Sequence, residues 1–143
     1  EKRQLSYLNL GTSWLTLART DTPLDSLPGN RISNIPGRIG NLKHLKYLSL
    51  QKNQITVLPQ NMSRLKELEV LDLSFNKNLD VNLAMPVILE LPKLKELNLY
   101  GIASALRDSN EVRRIVAGRN IKLSITRSDV EHNYGRQLHS EKN

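Results

Sequence analysis

Residues Leu42–Asn76 read LKHLKYLSLQKNQITVLPQNMSRLKELEVLDLSFN, and one pattern runs through them twice. Leu42, Leu45, Leu48, Leu50 and Asn53 return 23 residues later as Leu65, Leu68, Leu71, Leu73 and Asn76. Five matches at one offset make an internal repeat, which constrains architecture more than any local propensity does. It points to a surface for binding rather than to a reaction.

Side chains two apart on a strand face the same side. Leu48 and Leu50 therefore point to a core, joined by Leu42 and Leu45 just before the strand. Tyr47, Ser49 and Gln51 point to the other face. Asn53 ends the strand, and its amide carries both donors and an acceptor. Repeated at each turn, such an amide can pair backbone groups of neighbouring loops that would otherwise be buried unpaired. The second half of the unit, Leu58-Pro59 with Met62, is matched by Ile35-Pro36 with Ile39. It returns the chain on the opposite side. Proline cannot join a ladder, so no second sheet is expected there.

Moving towards the N-terminus, Leu5, Leu8 and Leu10 have the spacing of Leu45, Leu48 and Leu50, with Ser13 at the Asn position and Leu15 at that of Ile55. Counting back 23 from Asn53, Leu50 and Leu48 gives Asn30, Leu27 and Asp25, a degraded repeat whose second half still fits. Two readings remain for Trp14–Pro23: a tight connection, or an irregular loop from which residues are missing. In the other direction, the repeat that starts at Leu65 is longer, because Leu71 and Leu97 lie 26 apart. Asp80 is placed to cap a short helix through Leu83, Val87 and Ile88, with Pro86 near its first turn. At the next ladder position stands Ile102, so the series is expected to end there. Residues 109–117 read as a helix with Ser109 as N-cap and Gly118 as stop signal. Ile121–Ile125 alternates as an edge strand does. Helix and strand together are expected to cap the open end of the stack. From Thr126 onward there is little to bury, and a loosely held tail is expected.

Length and composition agree with one domain: 143 residues, leucine-dominated, with one Trp and one Phe. No stretch approaches the ~20 apolar residues that span a bilayer. The absence of Cys removes disulfides, thiolate metal sites and cysteine nucleophiles. It favours a cytoplasmic location, with a bacterial periplasmic or cell-surface location after signal removal as the alternative. The chain starts without Met or an apolar signal core, so a processed mature chain or an excised piece is expected. Net charge is +7, but both signs are interleaved along the chain, as on a solvated surface. The densest basic group is Arg113, Arg114, Arg119 and Lys122.

His44, His132 and His139 have no metal-ligand spacing. A phosphate-cradling Gly-rich loop and a Gly-x-Ser-x-Gly elbow are both missing from the sequence. Asp72 and Glu96 fall on adjacent strands on one face, but an open sheet offers such a carboxylate pair no pocket. Asn61-Met62-Ser63 matches the glycosylation sequon, which matters only in a secreted eukaryotic protein. No enzyme activity, cofactor or metal is expected.

The pattern LxxLxxLxLxxNxIxxLPxxMxxL resembles the leucine-rich repeat across roughly residues 5–102. Its Leu-Pro form is similar to repeats of intracellular Ras-group scaffold proteins and of many bacterial proteins. The missing cysteines argue against the extracellular members with disulfide caps. The resemblance implies an α/β leucine-rich repeat solenoid: a curved right-handed coil with a parallel sheet on its concave face and short helices on its convex side. Residues 1–125 would form this domain, with about five repeat strands and a cap near 103–125, and residues 126–143 a tail. It further implies a protein partner bound on the concave sheet. By strand alternation that face would carry Tyr7, Asn9, Ser26, Tyr47, Ser49, Gln51, Val70, Asp72, Ser74, Glu96, Asn98 and Tyr100. Three tyrosines among them suit an interface, because Tyr combines contact area with a polar tip. Two alternatives stay open: polyanion or nucleic-acid binding through dispersed Lys and Arg, and a recognition fragment of a larger multidomain protein.

Overall fold

Each turn of the coil places three residues in a single parallel sheet. The computed structural model describes residues 4–11 and 29–140, with side chains to residue 135. The strands are β1 (Tyr7–Asn9), β2 (Tyr47–Ser49), β3 (Val70–Asp72), β4 (Glu96–Asn98) and β5 (Lys122–Ser124), in sequential order across the sheet. All pairings are parallel and put Leu8, Leu48, Leu71, Leu97 and Leu123 side by side. The next residue of each coil extends the ladder, as in Leu50 N–H to Asp72 O and Leu99 N–H to Ser124 O, both 2.8 Å. Inside the coil, Leu45, Leu48, Leu50, Ile55, Met62, Leu65, Leu68, Leu71, Leu73, Leu97 and Leu99 have no exposed surface. The core is aliphatic, as the composition requires.

The asparagines form a spine. Asn53 Nδ2 donates to the carbonyls of Leu10, Leu50 and Gln51, and its Oδ1 accepts from Ile32 N–H at 3.1 Å. Asn76 repeats this one coil on, donating to Leu50 and Leu73 and accepting from Ile55 N–H at 3.1 Å. One side chain thus satisfies polar backbone in two successive coils, where water cannot reach. The residue before Asn53, Asn76 and Ile102 is left-handed: Lys52, Phe75 and Gly101 have φ of 55, 59 and 77°. At Gly101 a Cβ would also stand 2.7 Å from the Phe75 ring, so glycine is required there twice over. Ile102 then replaces Asn and is buried, and the series ends at this coil.

The first coil corrects the repeat count. Tyr7 pairs directly with Tyr47, 40 positions on, whereas Tyr47 and Val70 are 23 apart. β1 and β2 are direct neighbours, so no strand of the sheet stands between them at the degraded repeat. Its ladder residue is Asn30, which donates to Leu10 O at 2.6 Å. Ser13, Leu15, Trp14–Pro23, Asp25, Ser26 and Leu27 lie outside the described residues.

On the convex side, Pro36 and Pro59 are extended and their carbonyls accept from Ile39 and Met62 N–H at 3.0 Å, starting 3-10 turns Gly37–Asn41 and Gln60–Arg64. The longer third coil, between β3 and β4, replaces this turn with helix α1 (Val81–Leu89), capped by Asp80 through Asn82 and Leu83 N–H. Pro86 sits in its second turn, not near the first. Two short helices follow, α2 (Ala103–Arg107) and α3 (Ser109–Val116). Ser109 is helical rather than the cap; the capping position is Asp108, without a side-chain bond. Gly118 lies within the 3-10 turn Ala117–Arg119, and Asn120 at φ 51° ends it in the left-handed conformation. Strand β5 is the expected edge strand.

The expectation of a loosely held tail after Thr126 is corrected by helix α4 (Arg127–Ser140). Thr126 and Asp129 make a reciprocal capping box: Thr126 Oγ1 accepts from Asp129 N–H at 3.2 Å, and Asp129 accepts from Thr126 N–H at 2.8 Å. Val130 is buried beneath the helix. A short polar sequence folds here because its first turn is capped and one apolar side chain reaches the core.

Candidate functional site

Alternation along each strand raises two rows of side chains on the side opposite the leucine core. The first holds Tyr7, Tyr47, Val70, Glu96 and Lys122 in register. The second holds Asn9, Ser49, Asp72, Asn98 and Ser124. Lys122 and Ser124 complete the rows but were not among the expected site residues. The alternation of Ile121–Ile125 carried that signal.

The N-terminal end of the first row is aromatic. Tyr7 and Tyr47 stack with ring centroids 4.3 Å apart and planes 7° from parallel. Adjacent parallel strands hold side chains at this spacing, which suits offset stacking. Tyr7 remains 55% exposed. The Tyr47 phenol is pushed well above its ordinary pKa by burial and then by the nearby Asp72 carboxylate. It therefore stays protonated and able to donate across the physiological range.

The second row is recessed. Ser49, Asp72 and Asn98 are buried, and so are Gln51 and Ser74 just beyond the strands. Short side chains between taller neighbours lie below the surface that a partner would meet. Three of these acceptors also have structural work. Asn9 Oδ1 accepts from Gly11 N–H at 2.9 Å, Asp72 Oδ1 from Ser74 N–H at 2.9 Å, and Asn98 Oδ1 from Tyr100 N–H at 3.1 Å. Each closes an Asx turn that leads the chain off its strand. Tyr100 packs edge-on against Phe75 at 5.3 Å and lines a cavity of about 460 Å³ on the loop edge, with Ile102, Leu106 and Lys77. Tyr7, Asn9, Tyr47, Val70 and Glu96 thus share one face, while Tyr100 lines the loop-edge cavity.

The C-terminal end of the rows is charged and covered. Lys122 Nζ lies 3.7 Å from Glu96 and 5.0 Å from the centroid of the Tyr134 ring. Tyr134 Oη donates to Glu96 at 3.3 Å. Burial, then Glu96 and Asp72, push the Tyr134 phenol above its usual value. Asn133 Nδ2 donates to Ser124 Oγ at 2.8 Å and to Leu123 O at 3.1 Å. Sequence reasoning missed Asn133 and Tyr134. The Thr126-Arg-Ser-Asp129 capping box was the available signal for their helix.

Asp129 anchors that helix. Burial would raise its pKa, but the 2.6 Å ion pair with Arg113 and the N–H groups of Thr126 and Ile125 outweigh this and hold it at about 2. The value is below the ~3.9 of an unfolded Asp. Asp129 therefore stabilises the docked helix fully above its unfolded value, and this contribution is lost as pH falls through about 4 towards 2. The protection factors of amides 127–135, exchange measured relative to the intrinsic rate at each pH, are expected to fall over that window. Protection factors that stay unchanged down to pH 2 would contradict the anchoring role.

Among the described residues no helix is long and apolar enough to cross a membrane. The family model "Leucine rich repeat" matches residues 26–77. No curated protein matches the sequence. A solved structure of a leucine-rich repeat protein from Leptospira interrogans is similar at 27% identity and a TM-score of 0.58, covering 67% of this chain but only 23% of that one. The chain therefore spans under a quarter of that relative's length. The repeated leucines, the asparagine spine, the parallel sheet and these two matches lead to one conclusion: the chain has the fold of a leucine-rich repeat solenoid.

Proposed function

We propose that this chain is a non-catalytic protein-binding module that takes its partner on the concave sheet, first of all over Tyr7 and Tyr47. Leucine-rich repeat proteins are in general interaction modules rather than enzymes, and a protein partner accords with that role. The observation that carries the reading is the Tyr7–Tyr47 stack, which presents a broad, rigid aromatic surface on an exposed sheet face. Aromatic anchors of this kind dominate binding energy where they are desolvated. Val70 and Glu96 continue the contact row, and Asn9 flanks it. Ser49, Gln51, Asp72, Ser74 and Asn98 support the face from beneath, and Tyr100 contributes from the loop edge.

Site-specific photocrosslinking distinguishes the faces. A photoreactive residue at position 47 is expected to label a partner protein, and one at Leu83, exposed on convex helix α1, is not. Replacing Tyr7 and Tyr47 together by alanine should weaken that partner's binding at least tenfold, or about 1.4 kcal/mol, and leave thermal unfolding nearly unchanged. Equal labelling from both positions, or undiminished binding by the double variant, would sink the concave-face reading.

A second reading, polyanion binding, is supported by one feature. Arg31, Lys52 and Lys77 line a loop-edge cleft of about 370 Å³ that has no carboxylate in its lining among the described residues. Binding there would fall steeply with salt.

A further inference from the structure

Helix α4 crosses the C-terminal strands on the concave side. Its contacts are Tyr134 with Glu96 and Lys122, and Asn133 with Ser124 and the Leu123 carbonyl. Glu96, Lys122 and Ser124 belong to the same registered rows as Tyr47, Val70 and Asp72. Part of the surface proposed for a partner therefore already holds a helix from the chain itself.

The hold is mainly polar. Val130 supplies the helix's buried apolar contact among the described side chains. The rest comes from the Asp129 latch to Arg113 and from the Asn133 and Tyr134 contacts. Each of these part-buried polar contacts adds only modest net stability, so the docked helix is held weakly enough to be displaced when one of them is lost. Gly135 follows Tyr134 directly, within the helix. A Cβ at this position would meet nothing within 4 Å, so packing does not call for glycine. A glycine inside an exposed helix disfavours it about fivefold relative to alanine. The helix is thus weakened beside its own contact residues for no packing reason.

We propose that the β4–β5 part of the concave face is a docking surface for a helix that presents an asparagine followed by a tyrosine, with α4 as its resident, displaceable occupant. The geometry defines the class of competitor: a helical segment whose carboxamide reaches Ser124 and whose phenol reaches Glu96 while its ring covers Lys122. Glu96, which pairs with Lys122, accepts from the phenol, and the Lys122 ammonium lies over the ring. A partner spreading from Tyr47 towards β5 must first lift α4. The proposal deepens the concave-face reading and rests on it for that competition.

The test uses the full chain and a labelled peptide of its own residues 126–143. Asp129→Ala in the chain unlatches the resident helix but leaves Arg113 and the strands to receive the peptide, whose own Asp129 is intact. The Asp129→Ala chain is expected to bind the peptide at least about tenfold more tightly than the unaltered chain. Gly135→Ala, which strengthens the resident helix, should weaken peptide binding about fivefold. A peptide carrying Tyr134→Ala should not bind. Amide exchange provides a second readout: in the Asp129→Ala chain residues 127–135 should exchange at least tenfold faster while Leu71 and Leu97 keep their protection. Equal binding by the three chains, binding of the Tyr134→Ala peptide, or loss of protection at Leu71 and Leu97 in parallel with α4 would each overturn the proposal. These measurements involve no foreign protein. They can fail while crosslinking from position 47 succeeds, and the reverse, so the two readings stand or fall separately.

Discussion

Replacing Asn76 by alanine is expected to lower the unfolding free energy by about 2–4 kcal/mol. Asn76 is fully buried and serves two coils at once. Its loss would leave the Ile55 N–H without its acceptor and take a donor from Leu50 O and from Leu73 O. Leu50 O keeps the Asn53 amide, so the largest penalty falls on the orphaned donor at Ile55. Each buried backbone group left unpaired costs about 1–3 kcal/mol. Asn76→Asp should not rescue, because a carboxylate lacks the two N–H donors and would bury a charge. Urea unfolding measures the change through the midpoint at constant slope. A loss below about 0.5 kcal/mol would show that the spine is ornamental.

Leu71→Ala should cost about 2–5 kcal/mol, the usual range for a large-to-small change in a packed core. Leu71 is fully buried and stands in register between Leu48 and Leu97. In a stack where each coil touches only its neighbours, a cavity in the central coil loosens the interfaces on both sides. Leu83→Ala is the matched control, because Leu83 is 61% exposed on the convex side and a surface truncation usually changes stability by less than about 0.5 kcal/mol. Similar losses at the two positions would contradict the burial difference on which the argument depends.

Ser13 follows Leu10 at the spacing that Asn53 has from Leu50, so the sequence offers a complete short repeat. The pairing of Tyr7 with Tyr47, and the bond from Asn30 to Leu10, instead make β1 and β2 direct neighbours across one long coil. Nothing within 23 residues distinguishes these alternatives; the decision is made by which strands become neighbours. Ser49 and Asn98 share one registered row and are buried. Alternation specifies direction and not depth, and depth depends on the height of the side chains alongside.

The sequence by itself determined the solenoid, because its information is local and repeated: leucines two apart turn to one side, asparagine ends each strand, and proline keeps the return path out of the sheet. It also determined the membership of the concave rows from Tyr7 to Glu96. Only the tertiary structure decided where the coils begin, which of those residues stand proud of the face, and that α4 lies across its end. Those outcomes rest on single contacts between distant residues, such as Tyr134 with Glu96 and Arg113 with Asp129. A contact made once leaves no period in the sequence, so it becomes visible only when folding brings its two partners together.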